Sequence, residues 1–409
     1  MKHPSIQFQK WGAPLFLAAM AVLSGCDLMH DDMLPCATDP KVTTVVNFVY
    51  DYNMDGEDLF DRQVGSVYLY VFDSEGKFIS RHMKSRQDLD PYNPDFSMTF
   101  DNNASEIEMG RTYQFVAVAS SSLDYDDDED TPGFKVLRPL VPGESTISDY
   151  ILRLNRDDKM FEDFDYDVID YTQDYSGPDA MIDTVWTTRP DEVQVHTIPY
   201  LKAAFDSTDQ LPDHVEEVKI PMMRITNSIE VGLTGPHFTA DLLPSAYDIV
   251  IYFPHGNGTI DFVGSTAASD STRAEQIPEI SQPLYYRALR KTVDVYEDHG
   301  GTRADGDEED GPKQYAIYAT FGVSRLEYYD GAKLQVRHPV THEVIAELDN
   351  LSQYLNRRGN TEYDDPQEYL DREHDFRVNL GLTAADELWW TQVGIGVHDW
   401  AVKDWYVDL

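Results

Sequence analysis

The chain has 409 residues, 74 of them Asp or Glu against 32 Lys or Arg, and a formal charge of −42. That balance excludes nucleic acid as a partner, because phosphate recognition needs a basic footprint. It equally excludes flat adsorption on an anionic membrane. With 41% hydrophobic residues and 25 Tyr the chain is no disordered acidic polymer. Two cysteines cannot supply a disulfide framework, so a packed core must stabilise the fold.

The first element is a secretion signal. Lys2 and Lys10 give a positive start, and Trp11–Leu23 is an apolar run too short to span a bilayer. Leu23-Ser24-Gly25-Cys26 follows and resembles a lipobox. Residues 1–25 are thus expected to be a lipoprotein signal peptide. Cleavage before Cys26 would leave a cysteine carrying palmitate-type acyl chains. Two or three chains make a durable anchor where one does not. Residues 26–40 read as a lipidated acidic tether, and Cys36 on it has no intrachain partner once Cys26 holds lipid. Asp27 is the awkward residue, because in enterobacteria an aspartate after the cysteine favours the inner membrane. Asp31-Asp32 suits export to the outer face.

Strand signals then dominate. Val42–Tyr50 is rich in Val, Thr and Phe. Val64–Phe72 sets Val67, Leu69 and Val71 on one face and Tyr68, Tyr70 and Phe72 on the other, so both faces are apolar. Asp73–Lys77 predicts a turn, and Phe78–His82 a returning hairpin strand. Phe96–Phe100, Gly110–Ser120 and Tyr150–Leu154 are further strands. Residues 157–195 are acidic and irregular. Val215–Leu233 is one long alternating segment. Ala246–Phe253, Lys313–Val323, Lys333–Arg337, Val344–Leu348, Phe376–Leu380, Val393–Val397 and Val402–Leu409 complete the strand series. Only Tyr369–Phe376 and Ala384–Trp389 suggest helical turns. Short strands separated by turn signals predict an all-β fold of two tandem β-sandwiches, at 41–204 and 205–409.

Chemical motifs are weak. Asp51-Tyr52-Asn53-Met54-Asp55-Gly56 matches the start of an EF-hand loop, but its twelfth position is Arg62 where a bidentate Glu is needed. Asp124–Asp130 reads as a solvated acidic loop. His338 and His342 have helical metal-ligand spacing, yet Pro339 lies between them in a strand-and-turn segment. No phosphate loop or nucleophile elbow occurs. No catalytic, cofactor or metal residues are therefore predicted, and the protein is expected not to be an enzyme.

Several patterns together resemble the anchor lipoproteins of Bacteroidales fimbriae, the FimB-type minor fimbrial family. They are the lipobox at Cys26, Leu34-Pro35-Cys36, Phe48–Met54, Val67–Asp73 with Gly76, Gly110–Ala119, Arg224-Ile225 and the ending Trp400–Leu409. The resemblance implies that the two sandwiches are transthyretin-like. It also implies an outer-membrane, surface-exposed lipoprotein that anchors a fimbrial shaft, with an influence on assembly or length. Shaft subunits in such systems join by β-strand addition. The free terminal strand supplies the expected partner contact, at Val402, Trp405, Val407 and Leu409. The alternative is a surface glycan-binding lipoprotein that uses Trp389, Trp390, Trp400 or Trp405. Core packing of these tryptophans is the favoured reading of the two.

Overall fold

The computed structural model describes residues 40–92, 94–121, 133–155, 184–189, 194–201, 212–262, 264–266, 283–295, 314–382 and 388–395. Cys26, Trp400, Val402, Trp405, Val407 and Leu409 lie outside these residues, as does Asp124–Asp130. The fold is all-β.

The first part comprises β1 (Val42–Val49), α1 (Phe60–Gln63), β2 (Ser66–Asp73), β3 (Phe78–Ser85), β4 (Met98–Asp101), β5 (Thr112–Ser120), β6 (Gly133–Val136), β7 (Ile151–Asn155), β8 (Val185–Thr188), β9 (Gln194–Thr197) and β10 (His214–Arg224). One sheet runs in the order β3-β2-β5-β8-β10-β1-β4, with β9 beside β5. It curls until its two outer strands meet, His82 of β3 lying 4.9 Å from Phe100 of β4. Inside the curl Val67, Leu69 and Val71 join Phe115, Trp186, Val218 and Ile220 in one buried core. Tyr68, Tyr70 and Phe72 leave by the opposite face and join a second core. The two-sided apolarity of β2 is therefore real: its strand separates two cores. The hairpin after it forms as expected. Asp73 Oδ1 accepts from the backbone N–H of Glu75 and of Lys77, both at 2.8 Å, and Gly76 takes the positive φ of +78° that the turn demands.

The second part comprises β11 (Thr226–Thr234), β12 (Asp248–Phe253), β13 (Thr259–Asp261), β14 (Leu284–Arg287), β15 (Arg290–Val295), β16 (Tyr315–Ser324), β17 (Lys333–Arg337), β18 (Val344–Leu348), α2 (Leu351–Gly359), α3 (Pro366–Arg372), β19 (Asp375–Leu382) and β20 (Leu388–Ile395). Two sheets, β15-β16-β11-β19-β20 and β14-β12-β17-β18, enclose Val231, Leu233, Ile251, Phe253, Phe321, Leu334, Val378 and Leu380. This is a sandwich with inner residues alternating along each strand. Leu355 of α2 and Leu370 of α3 pack against the same core.

Three expectations change. The division expected between 204 and 205 falls ahead of β10, which pairs with β1 and β8 of the first sheet. The run Val215–Leu233 is two strands rather than one, and the chain changes sheets at Ile225. The physical reason is a break in alternation: Met222 and Met223 are both fully buried, Met222 in the first core and Met223 in the second. Lastly, Leu388 and Trp389, expected within a helical turn, open strand β20. The β-branched and aromatic residues downstream outweigh the helix formers before them.

The two parts share structure. Thr259–Asp261 of β13 pairs antiparallel with Ile151–Arg153 of β7, so a strand from the second part completes a three-stranded sheet begun by β6 and β7.

Candidate functional site: the junction and the open edge

The chain leaves β1 through Tyr50-Asp51-Tyr52-Asn53, and this segment builds the junction. Tyr50 is buried, edge-on to Trp186 at 5.8 Å and 6.4 Å from the His374 ring. Tyr52 lies 4.3 Å from the Arg189 guanidinium and 4.2 Å from that of Arg372. Desolvation pushes both phenols up to about 12, which keeps them neutral at physiological pH. Asn53 then closes the turn. Its Nδ2 donates to the carbonyls of Tyr50 and Glu57 at 3.1 and 2.9 Å, and its Oδ1 accepts from the N–H of Asp55 and Gly56 at 3.0 and 2.8 Å. The fragment that matched a calcium loop is an Asn-capped turn, with its side-chain oxygen already committed to backbone.

Arg372 ends α3 and ties the two parts together. Its Nη1 donates to the Asn53 carbonyl at 3.2 Å, while Glu368 holds its Nε at 2.9 Å. Tyr363 lies 5.4 Å from the same guanidinium. One residue back, Asp371 receives Arg325 through two bonds of 2.8 and 2.7 Å, both side chains being buried. Arg325 Nη1 also donates to the Gly264 carbonyl. Glu327, 3.7 Å away, accepts from the Thr266 N–H at 2.9 Å. A bidentate pair with every neighbour bonded is the geometry a buried ion pair needs.

A titratable group lies directly behind. Burial pushes the Glu373 carboxyl up to about 7, although it accepts from the N–H of His374 and Asp375. Burial also pushes the fully enclosed His374 imidazole well down, helped by the nearby Arg224 charge. His374 Nδ1 sits 3.2 Å from Asn227 Oδ1.

The other candidate feature is an edge. β20 pairs with β19 on one side and ends its sheet among the described residues. Trp389 and Trp390 occupy successive positions on it, opposite Gly381 and Leu380. An edge strand presents unpaired N–H and C=O groups to any strand that arrives.

His338 and His342 do not come together as ligands. His338 Nδ1 accepts from the N–H of Val340 and Thr341, at 3.2 and 3.1 Å, and His342 holds the turn at φ 59°. Sequence reading missed Arg189, Arg325, Asp371 and Arg372. Their partners lie far along the chain, and no spacing pattern marks them.

The strands, their sheets and the junction at Tyr52 and Arg372 define a two-part all-β protein. The chain belongs to the family of fimbrillin-A associated anchor proteins Mfa1 and Mfa2, whose model matches residues 33–404. It is thus a fimbria-associated protein of a structural family. Solved structures with the same fold include the fimbrial anchor protein Mfa2 from Porphyromonas gingivalis, at 18% identity and a TM-score of 0.51, covering 89% of this chain and 98% of that one. A protein of Bacteroides thetaiotaomicron provisionally named an adhesin aligns at 19% identity and TM-score 0.58, over 91% and 98% of the two chains. Another from that organism, provisionally named for polysaccharide binding, aligns at 21% and 0.54, over 87% and 95%. No curated protein matches the chain.

Proposed function

We propose that the protein is an outer-membrane lipoprotein that anchors a fimbrial shaft to the cell surface. The observation that carries this reading is the match to the fimbrial anchor family over residues 33–404, which begins seven residues after Cys26. Acyl chains on Cys26, the cysteine of Leu23-Ser24-Gly25-Cys26, are the attachment in this reading. The tether to residue 40 spaces the fold from the bilayer. The two parts act as two domains divided at Ile225, clasped by Arg372 on Tyr52 and Asn53 and by the pairing of β13 with β7. The shaft subunit docks by β-strand addition at the second domain, on the β20 edge or on the terminal segment with Val402, Trp405, Val407 and Leu409. No chemistry on a substrate is part of this role.

Intact-mass analysis of membrane-extracted protein tests it. The expected product begins at Cys26 and carries acyl mass. A mature chain without acyl mass contradicts the proposal.

A second reading has one observation in its favour. Trp389 and Trp390 occupy successive positions of β20, the outer strand of its sheet among the described residues, and a glycan-binding surface lipoprotein would use tryptophans to stack on sugars. Saturable glycan binding that is lost in Trp390→Ala supports it.

A further inference from the structure

We infer that the parallel pairing of β1 with β10 is a mechanical clamp that resists extraction of the chain when the shaft is pulled. The inference rests on the anchoring proposal for the direction of the force. Tension enters through the tether at the start of β1 and leaves toward the second part, which begins at the end of β10.

The register decides how that force is felt. Val42 pairs with His214 and each following residue pairs in step, up to Val49 with Pro221. The strands are parallel, so the entry point and the exit point lie at opposite ends of the pair. Pulling makes β1 slide along β10, and the whole ladder takes the strain at once. Had the two strands been antiparallel, the same two points would lie at one end and the bonds would open one after another. β1 is flanked on its other side by β4, from Thr43↔Asp101 to Val46↔Met98, so extraction shears two ladders together.

Sliding is opposed by side chains as well. Val42, Thr44, Val46 and Phe48 are buried and alternate with half-exposed residues. A slip of one residue would turn the whole buried set outward. Thr44 Oγ1 donates to Asn102 Oδ1 at 3.0 Å and fixes the register from below the sheet. At the loaded end Lys41 N–H donates to Asp213 Oδ1 at 3.0 Å, and His214 N–H to the Lys41 carbonyl at 2.9 Å. β10 is itself held by β8 at its far end and by Glu216, 2.7 Å from His196 of β9. The same plan recurs in the second part. Its first strand β11 runs parallel to β19, from Ser228↔Asp375 to Thr234↔Gly381.

Single-molecule force spectroscopy on the soluble mature chain tests the clamp, with Cys26→Ser removing the lipid site and Cys36 serving as the natural handle on the tether. In one protein the second handle is Tyr329→Cys, on an exposed residue of the second part. In the other it is Val215→Cys, exposed at the start of β10. The first geometry shears the pair and the second peels it from one end. The expected result is a several-fold higher rupture force in the first, released in one step with the length of the first part. Equal forces in the two geometries overturn the clamp. So does a first event in the shear geometry that releases only the junction. Either failure leaves the anchoring proposal standing, because acylation of Cys26 is measured separately.

Discussion

The guanidinium of Arg372 lies 4.2 Å from the centre of the Tyr52 ring, joining the segment that leaves the first strand to the last residue of the last helix. Arg189 stands 4.3 Å from the same ring. The pairing makes a short turn after β1 part of the contact between the two sheet systems. It also gives the aromatic Phe48–Met54 stretch a structural task that its calcium-like spacing disguises.

Removing either member of this contact weakens the junction. A double-mutant cycle of Tyr52→Ala and Arg372→Ala should give a coupling energy of about 0.5–2 kcal/mol in denaturant unfolding. Arg372→Lys should recover only part of it, because an ammonium lacks the planar stacking surface and cannot reach Glu368 and the Asn53 carbonyl together. Strict additivity would show that the stacking is incidental.

The buried pair behaves differently. Asp371→Ala leaves Arg325 charged and enclosed, an arrangement that costs about 3–5 kcal/mol. The thermal midpoint should fall well below that of an exposed control such as Glu75→Ala. Replacing both residues together should be less damaging than Asp371→Ala alone, because no charge is then stranded.

Glu373 and His374 give opposing pH dependences. The Glu373 carboxyl rises in the folded state from 4.5 to about 7, so the folded protein binds the extra proton between those values. Its contribution to stability is complete below pH 4.5 and is lost as pH rises through about 7. His374 is pushed below 6.5, so its contribution is present above pH 6.5 and is lost as pH falls. Urea unfolding across pH 5–8 should therefore show a decline toward pH 8 that Glu373→Gln flattens. His374→Gln should instead reduce the loss on the acid side. The Glu373 effect is on the order of 2–3 kcal/mol. An unchanged slope in Glu373→Gln would exclude the assignment.

Much of the strand layout is legible in the sequence, since it depends on alternation over a few residues. Lys333–Arg337 and Val344–Leu348 form as read, and β2 shows both apolar faces at work. Legibility fails where tertiary contacts decide. α2 carries only Leu351 and Leu355 as buried apolar residues, too few for a helical stripe. β14 and β15 have mostly half-buried residues, which leave no clear alternation. The change of sheet at Ile225 was hidden inside one long alternating segment. The junction was least visible, because Arg372 bonds to Asn53 from 319 residues away and an ion pair or stack between distant residues has no period.

The β20 edge makes a positional prediction. Along an edge strand, alternate N–H groups point into the sheet and outward. Proline at Gln392 and at Val393 should thus give two different outcomes. The substitution at the inward N–H breaks a bond to β19 and lowers stability. Its neighbour should fold normally and lose shaft attachment, read by co-purification of the shaft subunit. Attachment retained in both, with folding confirmed by circular dichroism, would move the docking site away from β20.

The anchoring role is tested most directly by where the shaft goes when Cys26 is removed. Shaft subunit is measured in the cell-bound fraction and in the cell-free medium, for the native protein and for Cys26→Ala produced at equal level. The account predicts a shift of assembled shaft from cells to medium in the variant, with the shaft polymer itself intact. Cell-bound shaft at native levels in Cys26→Ala would contradict it.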